Sequence, residues 1–307
     1  MAYFRQASLQ KNLQLRAKII QAIRSFFVDR DYLEVETPIR ISAPAPEAHI
    51  DAVESGKRFL QTSPELCMKQ LLAAGTRRTF QICKCFRQGE RGRLHLPEMT
   101  LLEWYRAESD YLGLMNECED LINTVAGTVG SDEGTLFYQG RNIELAPPWP
   151  RISVSEAFEK WSSISLQDAL ERDRFDEIMV EEIEPGFPQT RPVFLYDYPA
   201  SQAALARLKP QDSRYAERFE LYIGGLEICN AFSELTDQIE QRRRFECESK
   251  HRRQAGKPEY PMPQKFLVAL GSMPPAAGNA LGIDRLVMLF SNSRKIDDVV
   301  AFTPEEL

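Results

Sequence analysis

Hydrophobic and polar positions along the chain follow two periods. Leu15, Ile19, Ile23, Phe26 and Phe27 recur at helical spacing, with Arg16, Lys18, Arg24 and Asp29 elsewhere on the wheel. That pattern predicts an amphipathic helix near the start of the chain. In YLEVETP the period falls to two: Leu33, Val35 and Thr37 alternate with acidic residues until Pro38 stops the run, which predicts a strand. Residues 58–62 read as another strand, and Pro64 suits the first turn of a helix through Ala74.

Residues 79–87 and 98–106 are both strand-like, and the polar stretch QGERGRLHLP joins them, which predicts a long-looped antiparallel hairpin. A helix follows from about Tyr111 to Ala126. From Ser131 to Pro192 the periods mix: a hairpin around Gln139-Gly140, a proline cluster at 147–150 and short helical pieces. This region resembles an insertion more than an independent domain. Strands resume at 193–198, 216–223 and 226–234, and a charged helix covers about 237–255, ending at Gly256, a residue suited to a left-handed cap. The tail holds a short helix, a small-residue strand running into a helix, and a final strand near 297–302. Strands clustered in antiparallel fashion, without regularly interposed helices, predict an α+β fold rather than a doubly wound sheet.

Composition narrows the function classes. The 307 residues are 43% hydrophobic and 27% charged, enough for a full core. No segment approaches the ~20 apolar residues of a membrane span, and the first twelve residues contain no apolar leader core. Six cysteines show no paired CxxC spacing, so a zinc site is disfavoured and reduced thiols in a cytoplasmic protein are expected. A net charge of −7 argues against a broad grip on nucleic acid. The basic run Arg242, Arg243, Arg244, Lys250, His251, Arg252 and Arg253 is interleaved with Glu240, Glu246 and Glu248, and reads as a solvated helix with internal ion pairs. With His49, His95 and His251 scattered, chemistry must rest on carboxylates, arginines and a hard metal ion.

Three stretches could carry such chemistry. In GNALGIDRLVMLF, from Gly278 to Phe290, Gly278, Ala280 and Gly282 lead into a helix whose first turn holds Asp284 and Arg285. Small residues let a ring or phosphate approach the backbone, and a helix start favours anions. In the hairpin, Arg87 ends the first strand, Glu90, Arg91, Arg93 and His95 populate the loop, and Glu98, Glu103 and Tyr105 alternate on the return strand. A guanidinium there could bind a carboxylate and a phosphate together, as activation of an acid by ATP requires. The third stretch holds Glu220, Glu227, Asn230 and Glu234. A turn at Gly224-Gly225 could bring Glu220 and Glu227 together as a magnesium environment, or both could face solvent.

Taken together, these stretches resemble the three signature motifs of class II aminoacyl-tRNA synthetases. YLEVETP looks like motif 1, FRQGERGRLHLPEMTLLEWYR like motif 2, and GNALGIDR like motif 3. TSPELCMKQLL, LLEWYR, GGLEICNAFSELTD and GIDRLVM most resemble the catalytic domain of lysyl-tRNA synthetase. An anticodon-binding OB-fold does not fit ahead of the first helix, and PASQAALAR at 199–207 points to the truncated paralogues that ligate β-lysine to elongation factor P. The resemblance implies one catalytic domain over 1–307, an antiparallel sheet flanked by helices, and a homodimer formed through motif 1.

The same resemblance assigns roles. Arg87 and Arg285 would be catalytic, Arg87 gripping the substrate carboxylate and the ATP α-phosphate, Arg285 stacking on adenine. Gln88, Glu90, His95, Met99, Glu227, Ile228 and Gly282 would complete the ATP site, and Glu220 and Glu227 would hold Mg2+. Glu65 and Glu103 would face the inner ammonium of (R)-β-lysine or lysine, with Tyr105, Asn230 and Glu234 at the terminal one. Ser63, Pro64 and Ala280 would border the substrate; Ser63 and Ala280 replace the alanine and glycine usual in the synthetase. Two departures stand out: motif 2 reads Arg87-Gln88-Gly89-Glu90 rather than Arg-x-Glu, and Met99 occupies the place of an aromatic residue. Two other readings remain open: a stand-alone enzyme charging tRNA or another acceptor, disfavoured by the acidic chain, and a noncatalytic synthetase-like regulator.

Overall fold

The two long amphipathic helices, Gln10–Val28 and Tyr111–Val129, lie together against one large sheet. Ile19, Ile23, Phe26 and Phe27 of the first and Leu114, Cys118, Leu121, Ile122 and Val125 of the second enter the main hydrophobic core with Phe80, Leu102 and Trp104 of the sheet. The helical spacing of those apolar residues puts them all on the sheet-facing side. Asp110 caps the second helix by accepting from Gly113 N at 2.9 Å, and Gly130 ends it with φ +82°. The computed structural model describes residues 4–130, 134–203 and 205–307.

In chain order the strands are β1 (Leu33–Glu34), β2 (Arg40–Ile41), β3 (Glu54–Ser55), β4 (Arg58–Leu60), β5 (Arg78–Phe86), β6 (Glu98–Ala107), β7 (Thr135–Tyr138), β8 (Arg141–Glu144), β9 (Arg151–Ser153), β10 (Val193–Pro199), β11 (Tyr215–Ile223), β12 (Leu226–Ser233) and β13 (Ala276–Gly282). Eight form one sheet in the order β1-β5-β6-β13-β12-β11-β10-β9. The six central strands pair antiparallel throughout, while β1 and β9 join the two edges in parallel. The expected α+β architecture, an antiparallel sheet flanked by helices, is therefore present, with parallel edges added.

Several local expectations need correcting. The YLEVETP strand shrinks to Leu33–Glu34 at the edge of the sheet, where Leu33 is 57% exposed. The final strand expected near 297–302 is absent; Ile296–Val299 is a 3-10 turn whose Ile296 and Val299 are buried at a spacing of three. Side chains occupy the carbonyls a ladder would use: Arg5 donates to the oxygens of Asp297 and Val300, and Asn12 to that of Asp298. Arg252 is not solvated but 0% exposed, although Arg243 and Arg253 of the same helix do pair outward with Glu240 and Glu259.

The mixed stretch contains the expected Gln139-Gly140 hairpin, both residues at positive φ, joining β7 to β8. It also contributes β9 to the large sheet and a second hydrophobic cluster, in which Phe158 and Phe175 stack near Tyr198 and Tyr222. Among the described residues all six cysteines are free, and no helix is long and apolar enough to cross a membrane.

Candidate active site

The antiparallel register aligns Glu103 on β6 with Ala280 on β13, Ala280 with Asn230 on β12, and Asn230 with Glu220 on β11. Residues directly opposite one another point to the same face, so this row crosses four strands on one side of the sheet. Above it opens a cleft of ≈ 570 Å³. One end of the cleft is acidic and the other is lined by guanidinium groups.

At the acidic end Glu103 accepts from Ser63 Oγ at 2.6 Å and from Tyr105 OH at 2.9 Å. Burial, with nearby Glu65, pushes the Glu103 carboxyl up to about 7. Glu65 opens the helix Glu65–Ala73, where its amide donates to Ser63 Oγ at 3.0 Å. Pro64 stands at that helix's N-cap rather than inside its first turn, and does not line the cleft. Glu234, fully buried beneath the cleft, has Lys69 as its ion-pair partner, and Lys69 also lies 2.5 Å from Glu65. Desolvation raises the Glu234 carboxyl to about 8 against the pull of Lys69. Gly278 makes this convergence possible: a Cβ there would sit 2.2 Å from Tyr105 Cε1 and 2.5 Å from Glu234 Oε1.

At the other end Arg87, on the turn after β5, keeps its backbone bonded to Pro97 O at 2.9 Å. Its Nε is buried without a hydrogen-bond partner among the described residues, and the residue lines the cleft, where a guanidinium can meet an oxyanion. Arg285, in the first turn of the helix Ile283–Phe290, donates to the Glu227 carboxylate at 2.9 Å and lies 2.6 Å from His95 Nε2. Burial and the Arg285 charge hold His95 below its ordinary value, leaving a neutral ring that accepts from the guanidinium. Desolvation would raise Glu227, but Arg285 outweighs it and the carboxyl lies below its usual range. Met99, Ile228 and Gly282 line the cleft between these groups, and a Cβ on Gly282 would touch only Arg285, at 3.9 Å.

Besides Pro64 and buried Glu234, two more expected site residues do not line the cleft. Gln88 is exposed and reaches Asp51 only through its amide, at 2.7 Å. Glu220 shares the sheet face of Asn230 but does not line the cleft, and is held by Arg218 at 2.6 Å and Tyr222 OH at 2.7 Å. Its neighbour Asn230, which lines the cleft, accepts from Arg218 Nε at 3.1 Å.

The family profile described as tRNA synthetases class II (D, K and N) matches residues 1–306. The chain belongs to the class II tRNA synthetases. An enzyme of Erwinia tasmaniensis named elongation factor P–(R)-β-lysine ligase is 42% identical, over 95% of this chain and 94% of its own. Proteins of the same name from Hamiltonella defensa, at 42% over 96% and 95%, and from Edwardsiella ictaluri, at 40% over 99% and 98%, are similar to it.

Within this class II chain the motif 2 departure has a structural reading. Gly89, at φ +80°, turns the backbone, and the Glu90 carboxylate comes to 3.7 Å from Arg87. The glutamate is thus displaced by one residue along the chain but still faces the cleft. Sequence reading missed Lys69, whose helix offered only a basic residue four positions after Glu65, and Arg218, which alternates with Glu220 along β11. It missed Glu184 too: burial and the charges of Glu220 and Glu227 raise that carboxyl to about 6. It also missed Glu47, a half-buried carboxylate on the cleft rim with no surrounding motif.

Proposed function

We propose that this chain activates (R)-β-lysine with ATP as an acyl-adenylate and transfers the acyl group to a lysine side chain of elongation factor P. The observation that carries this reading is the polarity of the cleft. Glu65 and Glu103 line one end, with Glu234 buried beneath and joined to Glu65 through Lys69, and Arg87 and Arg285 line the other. A substrate with two ammonium groups and one carboxylate matches that polarity, since buried carboxylates demand cationic partners. The names of its relatives support the choice of acid and acceptor.

In the first step a substrate carboxylate oxygen attacks the α-phosphorus and pyrophosphate leaves. Arg87, which lines the cleft, orients both reacting groups through its guanidinium and stabilises the charge that grows on the phosphate oxygens. Arg285, buttressed by Glu227 and His95, packs against the nucleotide, with Gly282 leaving room for it. Glu227, which lines the cleft, would be the carboxylate ligand for Mg2+, which when bound would neutralise phosphate charge; Glu220 would join it only by giving up Arg218 and Tyr222. Lysine serves as an alternative acid. Residues 1–307 act as one cytoplasmic catalytic domain, and the exposed Val28, Leu33 and Ile39 around β1 supply an apolar surface for a homodimer.

The test is pyrophosphate exchange dependent on β-lysine, followed by mass analysis of elongation factor P. We expect both exchange and a mass gain of one β-lysyl group; absence of that gain, or charging of tRNA instead, refutes the reading. Arg87→Ala should lower exchange by ~10²-fold or more. Sedimentation should show a dimer.

A further inference from the structure

The transfer step needs a base, because an acceptor lysine arrives as an ammonium with an ordinary pKa near ~10.4. Glu47 lines the cleft. The backbone around it is clamped from several directions. Buried Arg252 donates to the oxygens of Glu47 and Ile50, both at 2.9 Å, and pairs with Asp51 at 2.9 Å while stacking on Tyr260. Lys257 donates to Ala48 O at 3.0 Å, Glu248 accepts from Ala48 N at 2.8 Å, and Tyr260 OH accepts from Ala52 N at 2.8 Å. Gln88 N donates to Asp51 O at 2.7 Å, which ties the segment to the residue next to Arg87.

Yet no described residue hydrogen-bonds or ion-pairs with the Glu47 carboxylate, which lines the cleft beside Arg87 and Glu65. A rigid backbone with an uncommitted carboxylate is the arrangement of a preorganised proton acceptor. We propose that Glu47 is the catalytic base of acyl transfer. This rests on the function proposed above.

In the step, the acceptor ammonium gives one proton to the Glu47 carboxylate. The freed nitrogen lone pair forms the C–N bond at the acyl carbon, and the bond from that carbon to the AMP phosphate oxygen breaks, its electron pair leaving with AMP. The second nitrogen proton passes to water, yielding the amide. The charged groups facing Glu47 are Glu65, Arg87, Arg218 and Glu248. Burial is the largest influence, and it places the Glu47 carboxyl at about 7, poised for exchange near neutral pH. The carboxylate is active when ionised, so transfer should rise with pH through about 7.

The two half-reactions separate the outcomes. Glu47→Gln should leave β-lysine-dependent pyrophosphate exchange within about threefold of the parent. It should slow transfer from preformed adenylate to elongation factor P by ~10²-fold and remove the inflection at about pH 7 from that step. Glu47→Asp should keep that pH dependence. Transfer by Glu47→Gln at the parent rate, or equal loss of both half-reactions, overturns the assignment. A parent protein that exchanges no pyrophosphate refutes the proposed function itself, and this step with it.

Discussion

Lys69 Nζ lies 2.5 Å from Glu65 Oε1, one helical turn back, and the same ammonium is the ion-pair partner of fully buried Glu234. One cation thus ties the first turn of a helix to the end of a sheet strand beneath the proposed substrate pocket. Above about pH 8, where Glu234 is ionised, removing the ammonium leaves an uncompensated buried charge, at a cost of ~3–5 kcal/mol. Lys69→Met should therefore lower the unfolding free energy by about that amount in urea titrations in that pH range, with Lys69→Arg losing less. A loss below ~1 kcal/mol would mean that the pair is no more than a surface contact in its energetics.

The pocket carboxylates make stability and binding respond oppositely to pH. Burial raises Glu103 to about 7 and Glu234 to about 8, so the folded protein holds protons that the unfolded chain has released. Stability from these groups is present below their unfolded values and is lost as pH rises through about 7 to 8. The free protein should therefore unfold more readily at pH 8 than at pH 6. A dicationic ligand favours the ionised carboxylates, so its affinity should rise over the same window and its binding should release protons. Calorimetric titration in buffers of different ionisation enthalpy measures that release directly; no release, or proton uptake, contradicts the argument.

Gly278→Ala tests the packing that brings Tyr105 to Glu234. Its added carbon would lie 2.2 Å from a ring atom of buried Tyr105. The ring has little room to yield, so the expected cost is ~1–3 kcal/mol of stability. Displacement of Tyr105 should also raise the KM for the amino acid about tenfold with a smaller effect on kcat. An unchanged KM would show that Tyr105 does not contact the substrate.

Ser63 and Ala280 both border Glu103, one through a 2.6 Å hydrogen bond and the other as its cross-strand partner. The double replacement Ser63→Ala with Ala280→Gly removes a donor and a methyl group from the place where the inner ammonium would sit. Lysine should then gain on β-lysine in pyrophosphate exchange by a factor corresponding to ~1–3 kcal/mol. An unchanged ratio of kcat/KM would remove both residues from the specificity argument.

Much of this protein is determined by local signals. Apolar spacing marks the Gln10–Val28 and Tyr111–Val129 helices and the central strands, and turn residues such as Gln139-Gly140 mark their own hairpin. Arg87, Arg285, Glu103 and Glu227 were legible because they sit in motifs of fixed spacing, and all four line the cleft. Tertiary structure alone decided the rest. Lys69 and Arg252 look like ordinary surface cations in sequence, yet both are buried because distant carboxylates or carbonyls compensate them. The row from Glu103 through Ala280 and Asn230 to Glu220 depends on strand register, and the turn at Ile296–Val299 on side chains from the first helices. The physical reason is common to these cases. Periodicity reports which face of an element is apolar, whereas the fate of a buried charge is set by partners the chain supplies from far away.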